Sequence, residues 1–149
     1  IFTSDNGPEN RTGDDIGVFQ RILDHRHYSM GNLRGMKRDV WEGGHRVPFI
    51  ASWPAVTPAE VVFDQFITLG DFVATCAQIT GAELNEGDSE NSVSYLSLLK
   101  EHLDAPVRGS AIHHSARGKF AVRKGDWVFI DSLSGDENEE PEWFKEERG

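Results

Sequence analysis

The sequence predicts a chain of mixed α/β class, on three observations. Residues 71–80 carry apolar side chains at helical spacing, with a glycine directly after them, which is typical of a helix end. Residues 47–53 form a mostly apolar run between prolines, which is typical of a buried strand. Near the C-terminus, two β-prone segments meet at Gly125-Asp126, a two-residue hairpin signal.

The remaining elements follow from periodicity and from the turn residues around them. Residues 1–4 are a β-prone stub, and an Asn-Gly-Pro turn ends it. Cys76 lies on the apolar side of the helix at 71–80, and we expect a small core residue there rather than a nucleophile. The predicted strands are residues 1–4, 47–53, 111–115, 119–124 and 127–132, and the predicted helices are residues 14–28, 71–80 and 95–103.

The charge of the chain argues against several classes of partner. The 149 residues include 15 Lys plus Arg and 25 Asp plus Glu, a formal net charge of −10. This balance does not suit a nucleic-acid-binding protein, whose binding surface is basic. The apolar runs are also far shorter than the roughly 18 to 20 residues that cross a membrane. We therefore expect neither a nucleic-acid partner nor a membrane span.

Acidic residues are concentrated at the C-terminal end. Residues 1–50 carry seven acidic and seven basic side chains, whereas residues 131–149 carry eight against two. The acidic tail from Asp136 to Glu147 is expected to be solvated or poorly ordered. Trp143 and Phe144 interrupt it, and two large aromatic rings in such a run are expected to dock onto an apolar surface.

The candidate chemistry lies in the first fifty residues. Asp5 and Asn6 are adjacent oxygen-bearing side chains on a turn after a strand, and hard cations such as Ca²⁺ or Mg²⁺ take such ligands. The same residues are also ordinary turn formers. Residues 31–48 hold several glycines with three arginines and one lysine, a composition that suits an oxyanion approached closely by backbone.

Two motifs carry a resemblance to a known family. Thr-Ser-Asp-Asn-Gly at residues 3–7 and Leu-Arg-Gly-x-Lys-Arg-Asp-x-x-Glu-Gly-Gly-x-Arg-Val-Pro at residues 33–48 closely resemble the C-terminal half of the formylglycine-dependent sulfatases of the arylsulfatase type. Residues 69–82 and 120–127 are similar to that family's later helix and C-terminal hairpin. The resemblance implies an alkaline-phosphatase-like α/β fold, here the end of the central sheet plus a small antiparallel C-terminal sheet with helices.

The resemblance also assigns site residues. It implies that Asp5 and Asn6 are ligands of a Ca²⁺ ion, with Mg²⁺ the less favoured metal, and that Lys37 contacts the sulfate as a catalytic and substrate-binding residue. A lysine there would offset charge on the sulfate and on the leaving oxygen. Other residues of the second motif are expected to hold its loop by hydrogen bonding, namely Arg34, Glu42, Gly43, Gly44 and Arg46.

The sequence does not assign definite roles to the histidines. His27 is a further candidate for substrate contact, whereas no role follows from the sequence for His25 or His45. Without a matched carboxylate partner, these three residues form neither a zinc motif nor a catalytic triad. His113 and His114 fall on a predicted strand that we expect to lie far from the motif, and a structural role is expected for both.

The resemblance divides the chain into residues 1–56, the end of the catalytic domain, and residues 57–149, C-terminal helices and an antiparallel subdomain with the acidic tail. No Cys/Ser-x-Pro/Ala-x-Arg motif, the source of formylglycine in this family, occurs in the sequence. The chain is therefore expected to be a piece of a longer enzyme, inactive by itself. An uncovered sheet edge would also make it prone to self-association. Family resemblance implies a periplasmic or secreted location.

Three functions are consistent with these residues. The first is hydrolysis of sulfate esters, with a sulfated small molecule or carbohydrate as substrate. The second is a phosphonate or phosphodiester hydrolase of the same superfamily, which would share the fold and the metal. The third is a noncatalytic module whose cationic loop binds a sulfated glycan or a partner protein.

Overall fold

The computed structural model describes residues 1–10, 17–100 and 106–148. These residues form both helices and short strands, in agreement with the predicted α/β class. In chain order the elements are β1 (Phe2–Thr3), α1 (Val18–His25), α2 (Glu42–His45), β2 (Phe49–Ile50), α3 (Asp71–Thr80), α4 (Leu96–Lys100), β3 (Ala111–His114), β4 (Phe120–Lys124), β5 (Trp127–Ile130) and α5 (Glu142–Arg148).

Most predicted elements are present, with shorter bounds. Helix α1 confirms residues 18–25 of the helix predicted at 14–28, whereas residues 17 and 26–28 are not helical. Helix α4 confirms residues 96–100 of the helix predicted at 95–103. Residues 14–16 and 101–103 of those predictions lie outside the described residues. Helix α5 was not predicted, because the acidic composition of its segment favours solvation over regular structure.

The strands form two antiparallel arrangements. Strand β1 pairs with β2 in the register Phe2 to Ile50 and Thr3 to Phe49. Strands β3, β4 and β5 form a sheet in sequence order, and the turn at residues 125–126 confirms the predicted hairpin. Gly125 has a φ of 55° in that turn, a backbone conformation that favours glycine.

The prediction of a buried strand at 47–53 is wrong. Strand β2 has only two residues, and the Ile50 side chain is 61% exposed. Among the described residues, β2 pairs only with β1. The apolar composition of this segment therefore does not lead to burial, because β1 and β2 form a sheet of only two strands in the part of the chain described.

Helix α3 has the predicted bounds, and Gly81 ends it with a φ of 73°, which confirms the left-handed helix end. The predicted apolar core face is wrong, because the buried residues of α3 are Asp71 and Thr75. Cys76 is only partly buried. Three apolar side chains of the predicted face are between 44% and 49% exposed, namely Phe72, Val73 and Ile79.

The chain divides into two compact units. The first unit comprises Ile1–Thr3, Phe49–Ala111 and Arg123–Trp127, and the second comprises Ser4–Pro48, Ile112–Val122 and Val128–Gly149. The division into residues 1–56 and 57–149 inferred from the sequence stays a prediction.

In the first unit, a buried polar network anchors α3. The Asp71 carboxylate accepts hydrogen bonds from the backbone N–H of Thr68 at 2.7 Å and of Val93 at 2.8 Å. The Arg108 guanidinium lies 2.6 Å from the same carboxylate, and both side chains are nearly inaccessible to solvent. This network explains why the polar side of α3, rather than its apolar side, faces inward.

In the second unit, the acidic tail helps to form the core. Phe144 is 3% exposed and lies in a cluster with Val18, Ile22, Met30 and Met36, which confirms that the aromatic rings of the tail dock. The expectation of a solvated tail is wrong for its first part. The Glu137 side chain is 3% exposed and accepts a hydrogen bond from the Ser115 hydroxyl at 2.6 Å.

Candidate functional site

Two loops of the second unit contain the candidate residues. The first loop comprises residues 4–9 and the second comprises residues 31–48. Gly7 N–H donates to the Gly44 carbonyl at 2.9 Å, and Lys37 N–H donates to the Pro8 carbonyl at 3.0 Å. Folding therefore joins two motifs that are more than twenty residues apart in the sequence.

Glycines permit this close approach. A Cβ atom on Gly7 would lie 1.8 Å from the Gly43 carbonyl oxygen, and one on Gly43 would lie 2.0 Å from the Gly35 carbonyl oxygen. On Gly44 it would lie 2.5 Å from the Asp39 carbonyl oxygen. Real Cβ atoms do not approach backbone oxygens so closely, so only glycine fits at these three positions.

Lys37 has a carboxylate neighbour that sequence reasoning missed. The Lys37 Nζ atom lies 3.4 Å from Glu9 Oε2. The same carboxylate accepts two hydrogen bonds from the Arg38 guanidinium, at 2.7 and 2.8 Å, and this pairing raises the pKa of Arg38. The available signal was the crowding of cations in residues 31–48, which requires a counterion nearby.

The backbone around Lys37 is fixed by the buried Asp39. The Asp39 carboxylate accepts from Met36 N–H at 2.9 Å, and from the N–H groups of Glu137 at 2.7 Å and Asn138 at 3.0 Å. The Asn138 side chain in turn donates to the Lys37 carbonyl at 2.8 Å. Residues of the acidic tail thus position the candidate lysine, a role that the sequence did not indicate.

Arg34 lies at the outer side of the second loop. Its guanidinium lies 4.0 Å from the centre of the Trp41 ring and 3.2 Å from the Asp136 carboxylate. The same carboxylate accepts a hydrogen bond from the Trp41 indole N–H at 2.6 Å. Burial alone would raise the pKa of Asp136, but hydrogen bonds from Ser134 and Trp41 and the charge of Arg34 hold it below its usual value. The loop-holding role of Arg34 stays a prediction.

The first loop offers oxygen ligands to a metal ion. The Asp5 side chain is exposed, and the Asn6 amide nitrogen donates to the Gly7 carbonyl at 2.9 Å, which leaves the amide oxygen as the ligand atom. No group of three or more His, Cys, Asp or Glu residues that could hold a metal occurs among the described residues. Because Ca²⁺ takes six to eight oxygens, Asp5 and Asn6 fit a calcium site only as a partial ligand set.

A cleft of about 480 Å³ opens beside these loops within the second unit. It brings together residues of both loops and of the segment around α1, including Asn6, Glu9, Arg21, His27 and Arg46. Lys37 and Asp5 are not among its lining residues. His27 therefore lies where a substrate could reach it, whereas His25 ends α1 as an exposed residue outside the lining. The role of His27 stays a prediction.

His113 lies near the second loop, so the expectation that it is distant is wrong. Its ring centre is 4.5 Å from that of His45, and its Nε2 atom lies 3.0 Å from the Val40 carbonyl oxygen. Desolvation lowers the pKa of His45 to about 4, and repulsion from His113 and His114 adds to this effect, against the opposing influence of Asp39. His45 is therefore neutral at pH 7.

This histidine pair predicts a loss of stability in mild acid. The pKa of His45 is about 4 in the folded chain against an ordinary value of 6.5, so the unfolded state binds more protons between these values. Stability is then fully present above pH 6.5 and falls as the pH drops towards 4. We expect the urea midpoint of the chain to fall over this range, and to fall less in His45→Gln.

The control for this prediction is His25→Gln, which changes an exposed histidine at the end of α1. Its pH profile should follow that of the unmodified chain. Equal acid sensitivity in His45→Gln and in the unmodified chain would contradict the assignment.

Comparisons with known proteins identify the family of this chain. The family model described as Sulfatase matches residues 1–82. The chain is 34% identical to an N-acetylgalactosamine-6-O-sulfatase of Bacteroides thetaiotaomicron, over 88% of this chain and 25% of that protein. It is 30% identical to an arylsulfatase of Hemicentrotus pulcherrimus, over 85% of this chain and 21% of that protein.

A solved structure agrees with the fold. It is a Bacteroides thetaiotaomicron sulfatase whose title concerns metabolism of multiple glycosaminoglycans. The two structures superpose with a TM-score of 0.73 at 30% identity, over 87% of this chain and 26% of the other. The fold of this chain is thus of α/β class and similar to part of that sulfatase, as predicted.

The chain belongs to the sulfatase family. It spans about a quarter of the length of the bacterial relative and about a fifth of that of the Hemicentrotus enzyme. No helix among the described residues is both long and apolar enough to span a membrane.

Proposed function

We propose that this chain forms part of the active site of an enzyme that hydrolyses sulfate esters. In this proposal Lys37 contacts the sulfate, and Asp5 and Asn6 are ligands of a calcium ion. The observation that carries the proposal is the backbone junction between the two loops, in which Lys37 N–H donates to the Pro8 carbonyl at 3.0 Å. This hydrogen bond joins the loop that contains Lys37 to the loop that contains Asp5 and Asn6.

The electrostatics around Lys37 favour an anionic ligand. Lys37 and Arg38 both contact Glu9, so two cations share one carboxylate and a positive charge remains. The Lys37 side chain is 38% exposed, and its 3.4 Å contact with Glu9 is longer than the Arg38 contact. Sulfate oxygens can therefore compete with Glu9 for the ammonium group while Arg38 keeps the carboxylate in place.

The metal and the nucleophile complete the proposal. A calcium ion, when bound, would supply positive charge beside the sulfate; the chain would contribute the Asp5 carboxylate and the Asn6 amide oxygen to its shell. We place the formylglycine nucleophile and the other metal ligands outside these 149 residues, since the sequence holds no motif that yields formylglycine. We propose a sulfated carbohydrate as substrate, because one relative is an N-acetylgalactosamine-6-O-sulfatase.

Substitution of Lys37 tests this function. In the enzyme expressed from the complete reading frame, Lys37→Ala should lower kcat/KM for an N-acetylgalactosamine 6-sulfate substrate by about 100-fold, because one charge-stabilising donor is lost. Lys37→Arg should retain part of the activity, since it keeps the positive charge but replaces the ammonium group with a planar guanidinium. Kinetics of sulfate release measure both variants.

Lys124→Ala is the matched control, since Lys124 is an exposed lysine on β4. It should leave kcat/KM unchanged. Unchanged hydrolysis in Lys37→Ala would remove this lysine from the site, and an unmodified enzyme that hydrolyses phosphodiesters but no sulfate ester would overturn the proposed reaction.

A further inference from the structure

Arg21 occupies a defined position on the wall of the cleft. It lies on α1, and the chain reverses just after that helix because Arg26 adopts a φ of 52°. The reversal lets His27 N–H donate to the Arg21 carbonyl at 3.3 Å. Both residues line the cleft together with Arg46 of the second loop. Two arginine side chains and one histidine side chain therefore border one space.

The Arg21 guanidinium has few hydrogen-bond partners among the described residues. It carries five N–H donors, and the one acceptor that the described residues offer is the Glu9 carbonyl, 3.5 Å from Nη2. The Nε atom is buried and has no hydrogen-bond partner among the described residues. Because Nε is inaccessible, the donors that a ligand in the cleft can reach are those of the two Nη atoms. Nη1 has no hydrogen-bond partner among the described residues, so an anion in the cleft can accept from it.

The charge of Arg21 is not neutralised by the acidic residue beside it. Glu9 lines the same cleft, but its carboxylate is held by Arg38 and Lys37. Arg46 has a loose contact with Glu42, at 3.7 Å, and its side chain is 66% exposed. Among the described residues that line the cleft, the two arginines outnumber the one carboxylate, which favours an anion over a neutral group.

We propose that Arg21 binds a second anionic group of the substrate, separate from the sulfate ester that is cleaved. This inference rests on the proposed function and narrows its substrate class to carbohydrates that carry at least two negative charges. A planar guanidinium matches the two oxygens of a carboxylate or sulfate group. The second group is therefore either a uronate carboxylate or a further sulfate ester on the sugar.

Three substrates and a charge-removing variant test this inference in the complete enzyme. The substrates are N-acetylgalactosamine 6-sulfate, the same sugar linked to a uronate, and the same sugar with a second sulfate ester. We expect Arg21→Gln to raise KM about tenfold for at least one of the two doubly charged substrates. Its KM for the singly charged sugar and its kcat should stay unchanged, and Arg21→Lys should recover part of the loss.

The controls separate recognition from general effects. Lys124→Gln removes one positive charge at an exposed position on β4 and should not alter any KM. If Arg21→Gln alters the three substrates equally, or none of them, the inference is overturned. A response confined to the uronate or to the second sulfate identifies which anion Arg21 binds.

The inference can be judged apart from the proposed function. If the unmodified enzyme releases no sulfate from any of the three sugars, the proposed function fails. Calorimetric titration of the uronate-linked and doubly sulfated sugars into the unmodified and Arg21→Gln proteins then decides the role of Arg21. Equal affinity for both sugars in the two proteins would overturn it.

Discussion

Gly7→Ala is expected to destabilise the chain by about 3 kcal/mol or more, because the added methyl group would meet backbone rather than a movable side chain. Its Cβ would lie 1.8 Å from the Gly43 carbonyl oxygen and 3.0 Å from the Gly44 Cα. The first loop would have to separate from the second, with loss of the hydrogen bond from Gly7 N–H to the Gly44 carbonyl. Urea unfolding measures the effect.

Gly109→Ala is the matched control for this experiment. An added Cβ at Gly109 would meet nothing within 4 Å, and its φ is not in the left-handed region. This variant should unfold close to the midpoint of the unmodified chain. A Gly7→Ala chain with an unchanged midpoint would show that the two loops can separate without cost, and the close contact between them would then not contribute to stability.

Arg108→Leu is expected to destabilise the chain by about 3 kcal/mol, since it leaves a buried carboxylate without its counter-charge. Arg108 Nη2 lies 2.6 Å from Asp71 Oδ1, and the two side chains are 7% and 0% exposed. The guanidinium also donates to the Asn91 carbonyl. Removal of the arginine therefore breaks its contacts with both Asp71 and Asn91, while the hydrogen bond from Val93 N–H to Asp71 remains.

A double-mutant cycle that combines Arg108→Leu with Asp71→Asn measures the interaction energy between the two side chains. The double variant should lose less stability than the sum of the single variants, because neither charge is then left buried alone. Lys145→Leu serves as the control, since the contact of Lys145 with Glu142 is exposed to solvent and its loss should leave the stability nearly unchanged. A strictly additive cycle would show that Asp71 and Arg108 are not energetically coupled.

Local structure was predictable where short-range chemistry decides it. The bounds of α3, the left-handed conformation of Gly81 and the hairpin turn at Gly125 follow from residues adjacent in the sequence. Burial was not predictable in the same way. The apolar residues of α3 predict a core face, but the Asp71 network turns the polar side inward.

The candidate site shows the same division. The residue types of Asp5, Asn6 and Lys37 and the family resemblance indicate sulfatase chemistry, and the comparisons confirm the family. Glu9 was missed because a single carboxylate after a turn carries no periodic signal. Its role depends on contacts with Lys37 and Arg38, nearly thirty residues away.

The acidic tail illustrates how far composition can mislead. Its charge predicts solvation, yet Phe144 lies in the core and the Glu137 and Asn138 backbone binds Asp39. The rings of Trp143 and Phe144 were the only sequence signal for docking, and they did not indicate where the tail would bind.

The family, the α/β class and the turns at Gly81 and Gly125 were predictable from the sequence alone. These depend on motifs and on interactions between near neighbours in the chain. Three further features became visible only in the folded chain: Glu9 pairs with Lys37, Asp39 fixes the backbone next to that lysine, and Arg21 lines the cleft with a donor that has no partner among the described residues. Those features depend on which distant backbone segments come within hydrogen-bonding distance, and that is set by packing of the whole unit.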